Sequence, residues 1–277
     1  MIRSLHRDTG IDAPGLEPYK TLRRQQDHRD RGIFVAEGEK VVSRLIASEL
    51  TILSVLMSPD WLEHYHDALH ARPEPIDLFI SSAHELSRIV GYEFHRGIMA
   101  VAAVPPDLSL DQIIASASSP LLLVALDNVL SAENVGVIVR SAAACGANAL
   151  WVGENSADPY LRRAVRNSMG NIFRLPILTT ASLEETVRSL RSRAFLVAAA
   201  HPHEQSTSID ACDFRGNTCI VLGNEDKGVS PSIVAACTAA VHIPMAPGVD
   251  SLNVACAATA IFCEVNRQRG MFRAPPL

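Results

Sequence analysis

Aromatic residues are scarce, at 5% of 277, which argues against a surface that works mainly by stacking bases. Positive charge is not in excess either: 25 Lys and Arg stand against 30 Asp and Glu, a net charge of −5. A chain coated in positive charge is thereby excluded. A local basic patch is not, because the location of charge matters more than its total for a nucleic-acid binder. No stretch reaches the roughly 18 uninterrupted apolar residues of a membrane helix, and residues 1–8 lack the apolar core of a signal peptide. The expected location is cytoplasmic, with no membrane partner. None of Cys145, Cys212, Cys219, Cys237, Cys256 and Cys263 falls in a C-x-x-C pair, so neither a zinc ribbon nor a thioredoxin-like site is written here. Most are expected to be small buried residues in a reducing compartment. His64, His66 and His70, and His201 and His203 around Pro202, have no carboxylate or cysteine completing a zinc pattern. They read as surface histidines, or, for His201 and Pro202, as the border of a ligand site. What is present is ordinary for a folded protein: 48% apolar and 20% charged residues.

Two blocks flank a Pro/Ser-rich stretch. Pro105-Pro106 and 115–120 interrupt the apolar pattern, and proline lacks a backbone donor and restricts its predecessor. The expected organisation is therefore a domain over 1–104, a linker over 105–119 and a second domain over 120–277. In the first block, 33–36, 52–57, 76–80 and 97–101 read as strands. Ser58-Pro59 is a helix start and Ser82-x-x-Glu85 a capping box. In the second, 121–126 is a continuous apolar run, the pattern of a strand buried on both faces. Further strands are expected at 149–152, 195–199, 219–222 and 241–245, with helices over 134–145, 159–169, 182–192 and 251–268. This alternation predicts an α/β chain with a parallel sheet covered on both faces. Ligands in such sheets bind outside the carboxyl ends of the strands, so the loops after Leu126, Leu222 and Met245 are where chemistry is sought.

Each of these loops has a plain structural reading. In 127–140, Asn134 stands where a helix should start, as an N-cap would, and Arg140 lies six residues on in a largely apolar helix, where a charge needs a partner. In 222–231, Gly223 and Gly228 suggest a phosphate loop, but the P-loop pattern needs Lys at 229, where this chain has Val, and two acids would repel phosphate. A tight turn with a cap at Ser230-Pro231 is the alternative. In 243–254 a Pro/Gly loop leads into a helix of small residues. Asp250 and Ser251 are natural caps, and Asn253 falls in the expected first turn.

Together the segments resemble one family: the SpoU (TrmH-like) RNA 2′-O-ribose methyltransferases of the SPOUT superfamily. The residues that carry the resemblance are Asn134-x-Gly136-x-x-x-Arg140; Val165-Arg166-Asn167-Ser168-Met169-Gly170 with Phe173-Arg174-Leu175-Pro176; Gly223-Asn224-Glu225 with Gly228; and Ile243-Pro244-Met245 with Ser251-Leu252-Asn253-Val254. Each motif alone is weak; four in order across 120–268 are specific. The first block, through 34–42, resembles the L30e-like substrate-binding domain that often precedes this catalytic domain. Relatives often carry Gly where this chain has Asp226, which tolerates a left-handed conformation, and Ser where it has Ala255.

The resemblance implies a trefoil-knotted α/β catalytic domain, S-adenosylmethionine as cofactor, and a homodimer whose active site draws on both subunits. It places Leu222, Gly223, Ile243, Met245, Ser251 and Leu252 around the cofactor, and Asn134, Arg140, Glu225, Ser251 and Asn253 at the reactive centre. The partner it implies is a structured ribosomal or transfer RNA rather than DNA. For RNA contact the charge pattern offers Arg162, Arg163 and Arg166, three and four apart on one helix face. It also offers the stretch 20–31, where Lys20, Arg23, Arg24, Arg29 and Arg31 face two acids. A catalytically silent RNA-binding module of the same fold is the competing reading. A nucleotide-dependent oxidoreductase is a third, and it lacks the glycine fingerprint.

Overall fold

The computed structural model describes residues 2–94, 97–201 and 206–271; the expectations for Pro202 and His203 lie outside them. The chain runs β1 (Ile2–His6), α1 (Glu17–Lys20), α2 (Gln25–Asp30), β2 (Ile33–Glu37), α3 (Glu39–Ile46), β3 (Ile52–Met57), α4 (Pro59–His70), β4 (Ile76–Ile80), α5 (Ala83–Val90) and β5 (Ile98–Ala103). It continues with α6 (Leu110–Ser116), β6 (Leu122–Leu126), α7 (Ala132–Ala144), β7 (Ala149–Val152), α8 (Arg162–Asn167), β8 (Ile177–Thr179), α9 (Leu183–Ser192), β9 (Leu196–Ala200), β10 (Thr207–Ser208), β11 (Thr218–Leu222), α10 (Pro231–Ala236), β12 (Ala239–His242) and α11 (Val254–Gln268). Among the described residues no helix is long and apolar enough to cross a membrane.

One compact unit comprises Met1–Pro106 with Tyr160–Arg174. Its sheet has the order β1-β4-β3-β5-β2, with β5 antiparallel to both neighbours and the other pairs parallel. Helix α3 buries Val41, Val42, Leu45 and Ile46, the one-sided stripe that fixes a helix on a sheet. Helix α5 is capped by Ser82, whose hydroxyl accepts from the Glu85 amide, and ends at Gly91 in the left-handed region. The Glu85 carboxylate accepts from Arg88 at 2.7 Å, so the reciprocal half of the expected capping box gives way to an ion pair. The edge strand β1 was not expected from the sequence, because only Ile2 and Leu5 in it are apolar. It is held by polar contacts instead: Arg3 and Ser4 both donate to Asp77 of β4.

The segment Tyr160–Arg174 corrects the expected boundary, which put it in the second domain. Phe34 packs against Tyr160 and Phe173, with ring centroids 5.4 and 5.7 Å away. The cause is also electrostatic. Glu37 is 3% exposed at the end of β2, and a buried carboxylate needs compensating partners. Arg162 donates to it and Arg166 lies 3.7 Å away. Arg162 also donates to the Tyr92 hydroxyl at 3.2 Å. Burial, with Glu37 adding to it, pushes the Tyr92 phenol up to about 12.

The second unit comprises Asp107–Pro159 and Leu175–Leu277. Its seven-stranded sheet has the order β10-β12-β9-β11-β6-β7-β8, and every pair is parallel. All five residues of β6 and of β11 are buried, as the apolar runs predicted. The expected linker is a second correction, since residues 110–116 form helix α6. The Pro/Ser pattern hid a reciprocal capping box between Ser109 and Gln112, and Ile113 joins the core of this unit. Strand β12 ends at His242 rather than 245, ahead of Pro244, which cannot donate to a ladder. Cys145, Cys219 and Cys237 are buried as expected, whereas Cys256 and Cys263 are exposed on α11.

Replacing Glu37 by Ala removes the partner that Arg162 and Tyr92 are arranged around. The expected loss is about 3 kcal/mol, the usual cost of breaking a buried ion pair, read from urea unfolding. A loss under about 0.5 kcal/mol, the range of ordinary surface substitutions, would contradict this account of the Tyr160–Arg174 segment.

Candidate active site

The central strands β6 and β11 run parallel and in register from Leu122↔Thr218 to Leu126↔Leu222. Their carboxyl ends therefore deliver the 127–131 and 223–230 loops side by side. The loop after β12 returns the chain to α11, which packs on α7. Thr259 donates to Ser141 at 2.8 Å, and Asn266 to the Cys145 carbonyl at 2.9 Å.

Three of the anticipated residues meet where these segments converge. Asn134 donates from Nδ2 to Glu225 Oε1 at 2.8 Å. Asn253 donates from Nδ2 to Asn134 Oδ1 at 3.1 Å. Asn253 Oδ1 in turn accepts from the amides of Ala255 and Cys256 at 2.9 and 3.3 Å. Asn253 is thus the N-cap of α11 rather than a first-turn residue, and Asp250 and Ser251 lie before it in the loop. The N-cap of α7 is likewise Ser131, whose hydroxyl accepts from the Asn134 amide at 3.2 Å. Asn134 sits one turn inside, with its side chain available for the cross-links just described.

Glu225 occupies the N-terminal end of α7, accepting from the Leu130 and Ser131 amides at 3.4 and 3.3 Å, where the helix dipole favours negative charge. Partial burial alone would raise its pKa. Asn134 and the amides of Glu225, Ser131 and Leu130 outweigh that and hold the carboxyl below its ordinary value.

Next to this chain of amides lies a cavity of about 380 Å³. Leu222, Gly223, Ile243, Met245, Ser251 and Leu252 all line it, together with Glu225. Sequence reasoning placed Asn224, Asp250 and His242 at no ligand site, yet they line it as well, while His201 borders it as one reading of its loop allowed. Asn224 stood inside a quoted motif and could have been found from its turn chemistry: its Oδ1 accepts from the amides of Asp226 and Lys227. Gly223 is required by close approach, since a Cβ there would lie 2.2 Å from the Gly228 backbone. The left-handed residue of this loop is Gly228, with φ 69°, and not Asp226.

Arg140 is not brought to this cluster. Six residues beyond Asn134 on a helix is about 240° of rotation, and the α7 face that meets α11 is that of Asn134 and Ser141. Arg140 is exposed and makes no hydrogen bond or ion pair among the described residues. The partner expected for it is therefore not supplied by the described residues. Of the anticipated RNA-contacting residues, Arg23, Arg24, Arg31, Arg163 and Arg166 are exposed. Arg162 and Arg166 turn to Glu37, so the three-arginine face is not wholly solvent-facing. Among the described residues no group of three or more His, Cys, Asp or Glu is placed to hold a metal ion.

The model of the SpoU rRNA Methylase family matches residues 121–263, more than half of the chain and the whole of the cluster above. The chain belongs to the SpoU methylase family. A tRNA/rRNA methyltransferase of Mycobacterium tuberculosis, itself uncharacterised, is 31% identical over 263 residues, 92% of this chain and 90% of that one. The 23S rRNA (guanosine-2′-O-)-methyltransferase RlmB of Acinetobacter baylyi is 32% identical over 203 residues, 72% of this chain and 82% of that one. The crystal structure of the SpoU methyltransferase AviRb of Streptomyces viridochromogenes, in complex with AdoMet, superposes with a TM-score of 0.80 at 26% identity. It covers 94% of this chain and 100% of that one. That superposition spans both α/β units, so the SpoU-type fold holds for the N-terminal unit as well as the parallel-sheet catalytic unit.

The depressed pKa of Glu225 has a sign that can be measured. Its ionised form stabilises the SpoU unit fully above the ordinary carboxylate pKa, and this is lost as pH falls through the lower folded-state value. Glu225→Gln is therefore expected to lower the melting temperature at neutral pH, with the gap to the parent closing as the solution is acidified below the carboxylate range. A gap independent of pH would contradict the reading of Glu225 as a hydrogen-bonded carboxylate.

Proposed function

We propose that this SpoU-family chain transfers a methyl group from S-adenosylmethionine to a ribose 2′-hydroxyl of ribosomal or transfer RNA. The observation that carries the proposal is the Glu225–Asn134–Asn253 chain of hydrogen bonds beside the cavity. The residues present fit the cofactor. A volume of about 380 Å³ is in the range of small-molecule sites. Leu222, Ile243, Met245 and Leu252 offer apolar walls for a purine, and Glu225 and Asp250 offer negative charge to a sulfonium and an ammonium. When bound, S-adenosylmethionine supplies an electrophilic methyl.

A ribose hydroxyl is a poor nucleophile until its proton is lost, and in-line placement supplies much of the rate. Asn134 uses one N–H and one lone pair within the protein, which leaves one of each for a ribose. Glu225 fixes which way that amide points. It accepts from the Leu130 and Ser131 amides and from Asn134, so in this proposal it orients Asn134 rather than taking the substrate proton. Arg140 is a poor base, since a guanidinium is essentially always protonated. Its role in this proposal is to stabilise the developing alkoxide and grip a phosphate, with the proton passing to phosphate or water.

Arg140 lies away from Asn134 within one chain, so the proposal includes a homodimer in which Arg140 enters the partner's site. Exposed Leu130, Val137, Val249 and Leu252 come from the segments that build the site, and exposed apolar groups of this kind suit a subunit interface. The trefoil knot implied by the resemblance is part of the same proposal. So is RNA contact through Arg23, Arg24, Arg31, Arg163 and Arg166, and a cytoplasmic site of action.

Two experiments test this. The first is transfer of labelled methyl to RNA lacking its modifications, by Arg140→Ala, by Asn134→Ala and by the two refolded together. Each variant alone is expected to be inactive, and the mixture to recover about a quarter of parental activity, because random pairing leaves one intact shared site in half the dimers. No recovery from dimers shown to have mixed would place Arg140 in its own chain's site. No cofactor binding by the folded parent would favour the silent RNA-binding module. The second is the salt dependence of RNA affinity. Reversing Arg23, Arg24 and Arg31 to Glu is expected to weaken binding and flatten its dependence on salt, since fewer counterions are released. An unchanged slope would remove this stretch from the RNA interface.

A further inference from the structure

Asp127, the first residue beyond β6, is 6% exposed and plays no part in the chemistry above. Its backbone amide donates to the Leu222 carbonyl at 2.8 Å. Its Oδ2 accepts from the Ser230 amide at 2.6 Å. Leu222 and Ser230 are the two ends of the 223–229 loop, so one residue grasps both. Its Oδ1 accepts from Asn128 Nδ2 at 2.8 Å. Asn128 holds a left-handed conformation, φ 55°, which Asn adopts more readily than most residues. Its carbonyl accepts from Asn224 Nδ2 at 2.9 Å. Asn224 then closes the loop on itself, exchanging two backbone bonds of 2.9 Å with Gly228. The loop is thus a closed turn pinned at Leu222, Ser230 and Asn224, with Glu225 at its projecting side.

We propose that Asp127 is a positioning residue of the methyl-transfer site: it sets where the 223–229 loop sits and so aims Glu225 at Asn134. The inference rests on the methyltransferase reading above. The chemistry explains why a carboxylate stands there. Both partners, the Ser230 amide and the Asn128 side-chain amide, are donors, and an ionised carboxyl offers two oxygens that only accept. An Asn in the same place would turn an N–H₂ group toward one of those donors and cost that part-buried donor its partner. A shift of the loop would move Glu225 away from Asn134 and move Leu222 and Gly223 in the cavity wall, and small misplacements of this kind cost rate steeply.

The test is a double-mutant cycle on the full chain, measuring kcat for methyl transfer and calorimetric affinity for S-adenosylmethionine. Asp127→Asn is expected to lower kcat by about tenfold or more, as for a lost hydrogen bond that displaces a catalytic loop, and to weaken cofactor binding by a smaller factor. In a Glu225→Gln background the same substitution is expected to change kcat by less than about twofold, because residues that act through one another are not additive. Equal factors in both backgrounds, or an unchanged kcat in the parent background, would overturn the proposal. Should Asp127→Asn fail to fold, Asn128→Gly keeps the left-handed turn and the carbonyl that Asn224 reaches, and removes the side-chain bond to Asp127. It is expected to show a smaller loss of kcat with the same non-additivity, and additive behaviour would overturn the proposal there too. A parent protein that neither binds the cofactor nor transfers methyl overturns the methyltransferase reading and this proposal with it. An active parent with an unimpaired Asp127→Asn overturns this proposal alone.

Discussion

Asn134 donates to Glu225 and accepts from Asn253, and those two bonds join segments 91 and 119 residues away along the chain. An Asn side chain has a donor end and an acceptor end, so each bond dictates the other's polarity. Asn253 cannot turn, because its oxygen caps α11. Glu225 presents only acceptors, and its carboxylate rests on the Leu130 and Ser131 amides just ahead of α7. The orientation of all three groups is therefore determined from both ends, and the cavity beside them inherits its wall from the loop that carries Glu225.

The parallel sheet makes this convergence possible. Strands β6 and β11 are adjacent and buried on both faces, so their carboxyl ends must emerge side by side, and polar groups there meet across loops rather than solvent. The same constraint explains the glycine and the caps. Gly223 has no room for a side chain against Gly228. Ser131 and Asn253 satisfy helix amides that would otherwise be orphaned at the edge of a site. Charge follows the same logic: an acid at a helix N-terminus needs no cation, and Arg140 is exposed on another face of α7.

Much of this was legible before any coordinates. The strands at 52–57, 76–80 and 149–152 coincide with β3, β4 and β7, because short apolar runs bounded by polar residues have few other solutions. All six residues expected around the cofactor line one cavity, because the motif loops follow strand ends. What was not legible depends on partners distant in sequence. A run of Pro and Ser concealed α6, whose cap is local but whose stability comes from burying Ile113 in the sheet's core. Nothing near Arg162 or Arg166 announces Glu37, 125 and 129 residues earlier, so both read as open cations. Caps were misplaced for a related reason: Asn134 and Asn253 are both good capping residues, and the cross-link between them, invisible in one dimension, decides which of the two caps its helix.

The most direct measurement is the chemical position of the methyl group. RNA labelled by the parent protein and S-adenosylmethionine would be hydrolysed in alkali and its fragments separated. A 2′-O-methyl ribose has no free hydroxyl to attack the adjacent phosphodiester, so this account predicts that the label survives in an alkali-resistant dinucleotide. Label released with single nucleotides would place the methyl on a base and contradict the assignment of Asn134 to orienting a ribose.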